Sequence, residues 1–351
     1  MKKIDATLNK HYFHSTIKNN TALFFIACAV CILEIAAVTV KKSDFGSKKP
    51  SYTKEVIRPM TGFAELQGAV PLPQKNQASD DIEILKDIEV GKVGTRILHA
   101  DIARPKTLPT GLMPAVMWIH GGAWSSGSHH EMQQTVQLAS HGYLVLSIEY
   151  RLIDEAIWPA QIEDCKLGIR WLRENAAKYN IDPDRIGCWG TSAGGHLAAL
   201  IGVTGDKPDL EGNGGSKGFS SRVKAVVDFC GPTVFDGRPE AYTSFTDKMA
   251  GGTYEQRSAV FKQMSPLENV NPNACPFLIV NGEKDTTVPT FHAELMTEAL
   301  KKANVPVELI IVKNAGHGYT FVAPRDSPPA EPSPGEVDAI VLKFLDANLK
   351  K

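Results

Sequence analysis

From about Ile82 onward the chain alternates short apolar runs with longer amphipathic ones. The runs AVMWI, VLSI, AVVDF and FLIV are almost continuously apolar. That pattern marks strands buried on both faces of a sheet. Strands are predicted at Ile88–Val93, Thr95–Ala103, Ala115–His120, Leu144–Tyr150, Arg185–Trp189, Lys224–Phe229, Phe277–Asn281 and Val307–Val312. Helices are predicted at Glu131–His141, Gln161–Tyr179, Ala193–Val203, Phe291–Ala303 and Glu336–Asn348. Gln161–Tyr179 places Ile162, Cys165, Ile169 and Leu172 on one helical face. Beyond the first two strands, β and α elements alternate. The expected fold class is therefore α/β: a mostly parallel sheet of about eight strands with helices on both faces. Pro232 to Asn273 breaks the alternation and is expected to form a small insertion, of the kind that contributes to a lid.

The N-terminal pattern differs. Thr21–Val40 reads TALFFIACAVCILEIAAVTV, with Glu34 as its one charge. It is long enough to span a bilayer. Lys2, Lys3, Lys10 and Lys18 precede it, which predicts a cytoplasmic N-terminus and an exported remainder. A signal peptide cleaved after Ala37 and an uncleaved signal anchor are both open, with lipidation at Cys28 and a buried core helix as further readings. The expected organisation is a signal or anchor over 1–40, a linker over 41–81 and a folded domain over 82–351. The linker is rich in Lys, Ser, Pro and Gln.

Composition narrows the function classes. The 351 residues are 43% hydrophobic and 22% charged, ordinary for a globular core. A formal net charge of −1 argues against a polyanionic partner such as nucleic acid. No P-loop is present, and the glycine-rich Gly212 to Gly218 reads as a surface loop. Cys28 and Cys31 fall inside the apolar segment; Cys165, Cys188, Cys230 and Cys275 lack metal-ligand spacing and read as unbridged, mostly buried thiols. His129-His130-Glu131 could suggest a metal, but an exposed helix start is the better reading. His120 and His196 read as structural. Asp164 is expected to fix a neighbouring loop. No cofactor or metal is expected.

The chemistry gathers around Arg185–Leu200, RIGCWGTSAGGHLAAL. Gly190-Thr191-Ser192-Ala193-Gly194 is a G-x-S-x-G that follows a strand and opens a helix. A sharp turn there projects the Ser192 hydroxyl from the sheet edge, and small neighbours leave it room. A serine hydroxyl needs a base. His317 follows the last strand within Asn314-Ala315-Gly316-His317-Gly318-Tyr319, and Asp285 follows FLIVNGEK one strand earlier. The order Ser192, Asp285, His317 suits a nucleophile, an orienting acid and a general base. Glu283 is a rival acid, and Asp228 is expected to sit within its strand. The loop His120-Gly121-Gly122-Ala123-Trp124 should supply an oxyanion hole through the amides of Gly122 and Ala123, with Ala193 from the helix start.

HGGAW, the run WPAQIEDCKLGIRWLRENAAKYNIDPDRIGCWGTSAGGHLAAL and the NGEKDTTVP…NAGHG tail resemble the α/β-hydrolase superfamily. They are most similar to hormone-sensitive-lipase-like esterases, and among them to the bifunctional acetylxylan/feruloyl esterase-like group. The resemblance covers roughly Val90 to Leu349. It implies an α/β-hydrolase fold, a carboxylic ester hydrolase with Ser192, Asp285 and His317 as its triad, and small-molecule or polysaccharide ester substrates; membrane attachment through Thr21–Val40 is left open by the apolar segment itself. Ala123 replaces the third glycine that many of these esterases carry, but its amide is retained. The H-G-G-x-W form also resembles kynurenine formamidases, which keeps an amidase open. A prolyl-oligopeptidase-type peptidase would need a large preceding domain, and a non-catalytic tethered module would be expected to lose part of this machinery.

Overall fold

The computed structural model describes residues 80–350 apart from 134, 206, 239 and 319–326. The expected signal or anchor and nearly all of the expected linker lie outside the described residues. Among the described residues, no helix is long and apolar enough to cross a membrane.

Eight strands form one sheet: β1 (Ile82–Val93), β2 (Arg96–Pro105), β3 (Met113–Ile119), β4 (Leu144–Ile148), β5 (Ile181–Thr191), β6 (Val226–Phe229), β7 (Phe277–Gly282) and β8 (Val307–Val312). Their spatial order is β1-β2-β4-β3-β5-β6-β7-β8. The β1–β2 and β2–β4 pairs are antiparallel, and every pair from β4–β3 to β7–β8 is parallel. The helices are α1 (Ala160–Glu174), α2 (Ala176–Tyr179), α3 (Ala193–Thr204), α4 (Thr243–Ala250), α5 (Tyr254–Met264), α6 (Phe291–Lys302) and α7 (Pro334–Leu349).

The apolar strand runs are explained by two cores, one on each face. Ala115, Met117 and Ile119 of β3 pack with Ile162 and Ile169 of α1 and Leu197 and Leu200 of α3. Val116 and Trp118 face the other way, toward Val341 and Leu345 of α7 and Ala139. Every residue of β3 is thus buried. Each aliphatic side chain of this kind stabilises the fold by about 1.5–3 kcal/mol.

Three expected elements differ from those observed. The helix expected over Glu131–His141 is a short 3-10 helix, Val136–His141, stopped by Gly142 at φ 82°. The residues before it are held by carboxylates of the β1–β2 hairpin instead. The helix expected over Gln161–Tyr179 divides at Asn175 (φ −98°, ψ 13°), whose side chain donates to the Trp171 carbonyl at 3.0 Å. The insertion contains two helices, α4 and α5. Thr253 and Gln256 form a reciprocal cap at the start of α5. The insertion is fastened to the core where Trp158 donates its amide to Met249 O at 2.8 Å and its indole N–H to Gln263 Oε1 at 2.7 Å.

Candidate active site

Ser192 joins β5 to α3 with φ 53° and ψ −120°. For a residue with a Cβ this is a costly backbone region, held by its surroundings. Its amide donates to Phe229 O on β6 at 2.8 Å, which fixes the turn against the neighbouring strand. The surrounding glycines are required by close approach. A Cβ at Gly190 would overlap the Gly194 carbonyl, and one at Gly194 would overlap the Ile119 carbonyl on β3. A Cβ at Gly195 would lie 2.5 Å from Asp228 Oδ1. The turn can therefore sit close against β3 and β6 with the hydroxyl projecting past it.

The structure brings the three expected side chains together. Ser192 Oγ lies 3.0 Å from His317 Nε2, and His317 Nδ1 lies 2.7 Å from Asp285 Oδ2. These contacts fit a tautomer in which Nδ1–H donates to Asp285 and Nε2 accepts from the serine. Asp285 is buried, and its other oxygen accepts from the amides of Thr287 (2.9 Å) and Val288 (2.8 Å). The carboxylate is thus locked in orientation by its own loop. Burial of the His317 ring disfavours its charged form, but the Asp285 carboxylate outweighs this and holds the imidazole pKa well above 6.5. Glu283 faces elsewhere, with Oε2 accepting from the Asn314 amide at 2.9 Å.

The loop after β3 lies against this turn. A Cβ on Gly121 would be 3.5 Å from that of Ser192. Gly122, Ala123 and Trp124 follow with φ of 99°, 50° and 57°, and the amides of Ser125 and Ser126 both close on Gly122 O. Among the described residues, the amides of Gly122 and Ala123 have no protein acceptor. Ala193 is the first residue of α3, so its amide is at the positive end of the helix. Gly122, Ala123 and Ala193, the expected oxyanion donors, thus lie on the loop against the Ser192 turn and at the start of the helix that follows it.

Two buried histidines hold that loop. His120 stacks on Tyr150 with ring centres 4.3 Å apart, and burial pushes its pKa down to about 4. Trp124 donates its indole N–H to His196 Nδ1 at 3.1 Å, and His196 Nε2 donates to Met264 O of α5 at 2.8 Å. Both roles are structural, as expected. Asp164 also does what its position suggests: its carboxylate takes both the Arg151 amide and the Arg151 guanidinium at 2.8–2.9 Å.

One neighbour of the site was not singled out from sequence. Cys230 follows β6 at φ 44°, buried, with Sγ within 4.8 Å of the ligating atoms of Asp285 and His317. The signal was its place one residue past a central strand, but a thiol in an apolar run reads equally as core. The four cysteines of the described region are free. A cavity of about 390 Å³ lies before β6 and β7, lined by Arg173, Arg222 and Pro276 among others, and none of Ser192, Asp285 and His317 lines it.

The sequence profile of the BD-FAE family matches residues 100–300. The chain is 34% identical over 230 residues to the esterase LipC of Mycobacterium tuberculosis, covering 63% of this chain and 57% of that one. It is 31% identical over 264 residues to the esterase LipQ of the same organism, covering 72% and 61%. The chain thus spans about three-fifths of the length of these curated relatives. Among solved structures, a truncated carbohydrate esterase from gut microbiota superposes with a TM-score of 0.68 at 29% identity, covering 79% of this chain and 100% of that one. A thermophilic esterase from Thermogutta terrifontis superposes with a TM-score of 0.63 at 26% identity, covering 81% and 97%.

Proposed function

The chain belongs to the BD-FAE family, and from that premise we propose that it hydrolyses carboxylic esters through an acyl-enzyme on Ser192. The observation that carries the proposal is the hydrogen-bonded line Ser192 Oγ, His317 Nε2, His317 Nδ1, Asp285 Oδ2, with Ser192 on a strained turn at the sheet edge.

In this mechanism the Ser192 hydroxyl gives its proton to His317 Nε2 as Oγ bonds to the ester carbonyl carbon. The carbonyl oxygen takes the electron pair and is met by the amides of Gly122, Ala123 and Ala193. Removing one such donor typically costs about 10²–10³ in rate. Asp285 stabilises the imidazolium that forms. His317 then returns the proton to the departing alkoxide, and the acyl group stays on Ser192. Water, deprotonated by the same Nε2, hydrolyses the acyl-enzyme by the reverse sequence.

The proposed substrates are acyl esters of polysaccharides, acetyl or feruloyl. Family membership and the carbohydrate esterase that superposes over its full length support this choice. The proposal includes export, which rests on the apolar Thr21–Val40 and the lysines before it. The test compares rates on p-nitrophenyl acetate, acetylated xylan, methyl ferulate and N-formylkynurenine, each beside Ser192→Ala. Serine-dependent release of acetate or ferulate from the carbohydrate-type substrates supports the reading. A preference for N-formylkynurenine moves the protein to amide hydrolysis, and no serine-dependent activity on any of them removes the esterase reading.

A further inference from the structure

A second group of chemistry-bearing side chains lies on the β1–β2 hairpin and the loop that follows the oxyanion strand. The β1–β2 register slips between Leu85 and Ile88, and Asp87 in this bulge takes φ 52°. The bulge turns the Asp87 backbone toward β2, where its amide donates to Asp101 Oδ1 at 2.9 Å. His129 and His130 descend onto the same spot. His129 Nε2 is 3.0 Å from Asp87 Oδ1 and 3.8 Å from Asp101 Oδ1. His130 Nδ1 is 2.8 Å from Asp101 Oδ2, and its Nε2 is 3.7 Å from Asp87 Oδ1. One ligating atom from each of the four residues lies within 4.8 Å of the other three. The expectation of an exposed helix start fails here, because no helix begins at these residues and His129 is 7% exposed.

We propose that Asp87, Asp101, His129 and His130 form a binding site for a divalent transition cation of the Zn²⁺ class. The donor set is two imidazoles and two carboxylates, which suits Zn²⁺ and its first-row neighbours rather than the all-oxygen preference of Mg²⁺ or Ca²⁺. A tetrahedron with Zn–N and Zn–O bonds of about 2.0–2.1 Å has ligand–ligand edges of about 3.4 Å. With Asp87 Oδ1, Asp101 Oδ1, His129 Nε2 and His130 Nε2 as the four donors, three of the six edges measure 3.0, 3.7 and 3.8 Å, on either side of that value. The charges agree. Asp101 is 2% exposed, and among the described residues neither Asp101 nor Asp87 meets a lysine or arginine. A divalent cation neutralises both carboxylates and accepts a lone pair from each imidazole. A carboxylate for an outer layer is close by. Glu149 Oε2 lies 3.3 Å from His129 Nδ1, the nitrogen left over when Nε2 binds metal, and Arg96 holds the other Glu149 oxygen at 2.9 Å. The Glu149–His129 pair is not aligned as a hydrogen bond, and a turn of the ring on binding metal would align it, as a carboxylate behind a ligating histidine commonly is.

The site would join β1 and β2 to the loop that begins at His120, and so would brace the loop carrying Gly122 and Ala123. It is separate from Ser192, His317 and Asp285, so its test does not depend on the catalytic reading. The full-length protein is stripped with chelator, desalted and titrated with ZnCl₂ by calorimetry, with bound metal counted by elemental analysis after gel filtration. One Zn²⁺ per chain is expected, lost or weakened at least tenfold in His130→Gln and in Asp87→Asn. These two side chains are 50% and 64% exposed, so their variants should fold. At Zn²⁺ one hundredfold above its Kd, the melting temperature of the unaltered protein should rise by about 5 °C or more, and that of the two variants should not. Absence of saturable binding up to about 1 mM would overturn the proposal. Undiminished binding in both variants would also overturn it, by placing the metal elsewhere on the chain.

Discussion

Trp124 on the oxyanion loop donates its indole N–H to the imidazole of His196 on α3 at 3.1 Å. The same ring donates onward to Met264 O, so one buried histidine ties together the loop after β3, the helix behind Ser192 and the insertion. Burial keeps that ring neutral, with its pKa pushed down to about 4. Trp124→Phe should leave His196 Nδ1 without a donor. The expected cost is about 1–3 kcal/mol of stability and a fall in kcat of roughly tenfold as the Gly122 and Ala123 amides lose their fixed position. Thermal melts and steady-state rates on p-nitrophenyl acetate read both; unchanged values in both would show that the contact does not position the loop.

The 2.7 Å contact between His317 and Asp285 sets the pH dependence. The imidazole must be neutral to accept the Ser192 proton, and Asp285 holds its pKa above 6.5. Activity should therefore rise with pH through a limb above 6.5. Asp285→Asn removes the anion that favours the imidazolium, so the limb should move to lower pH while kcat falls by about 10⁴. Glu283→Gln should leave the limb where it is. If Glu283→Gln moves it and Asp285→Asn does not, the acid is Glu283.

Asp228 lies behind the Ser192 turn with Oδ1 on the Gly231 amide at 2.9 Å and no partner for Oδ2. Burial raises its pKa in the folded protein from 3.8 to about 7. A raised folded pKa means that its contribution to stability is full below 3.8 and is lost as pH climbs through 7. The loss is at most about 4 kcal/mol. Asp228→Asn cannot ionise, so its stability relative to the unaltered protein should improve by about 1–3 kcal/mol between pH 5 and pH 8. Chemical denaturation at the two pH values gives the difference, and a constant offset would mean that Asp228 does not titrate in this range.

Gly194 and Gly335 should respond oppositely to alanine. A Cβ at Gly194 meets the backbone carbonyls of Ile119 and His120, which cannot rotate away, whereas one at Gly335 in α7 meets nothing within 4 Å. Gly194→Ala should cost about 3 kcal/mol or more, and Gly335→Ala should be neutral or stabilising by up to about 1 kcal/mol. Melting temperatures of the two variants decide it; similar values would refute the close-approach account of the turn.

The sheet was legible because its central strands are buried on both sides and so read as unbroken apolar runs. Ser192, Asp285 and His317 could be proposed as partners because each follows its own strand, and parallel strands deliver such positions to one edge. The two helices of the insertion were not read: α4 spans only eight residues, and α5 has no strong apolar stripe, although Thr253 and Gln256 carry a capping signature. The setting of His129 and His130 was not legible at all. It depends on a bulge that turns Asp87 and on Asp101 one strand away, and neighbours in sequence carry no trace of either. Cys230 was hidden for the related reason that a buried thiol beside a strand has the same signature whether or not it meets His317.

The central claim is that Ser192 is the nucleophile. The most direct measurement is reaction of the protein with a fluorophosphonate probe, followed by peptide mapping of the adduct and assay of residual esterase activity. The account predicts a single adduct on Ser192, complete loss of turnover in step with labelling, and no labelling of Ser192→Ala or of His317→Ala on the same timescale. Turnover that survives in Ser192→Ala, or an inactivating adduct on another residue, would contradict it.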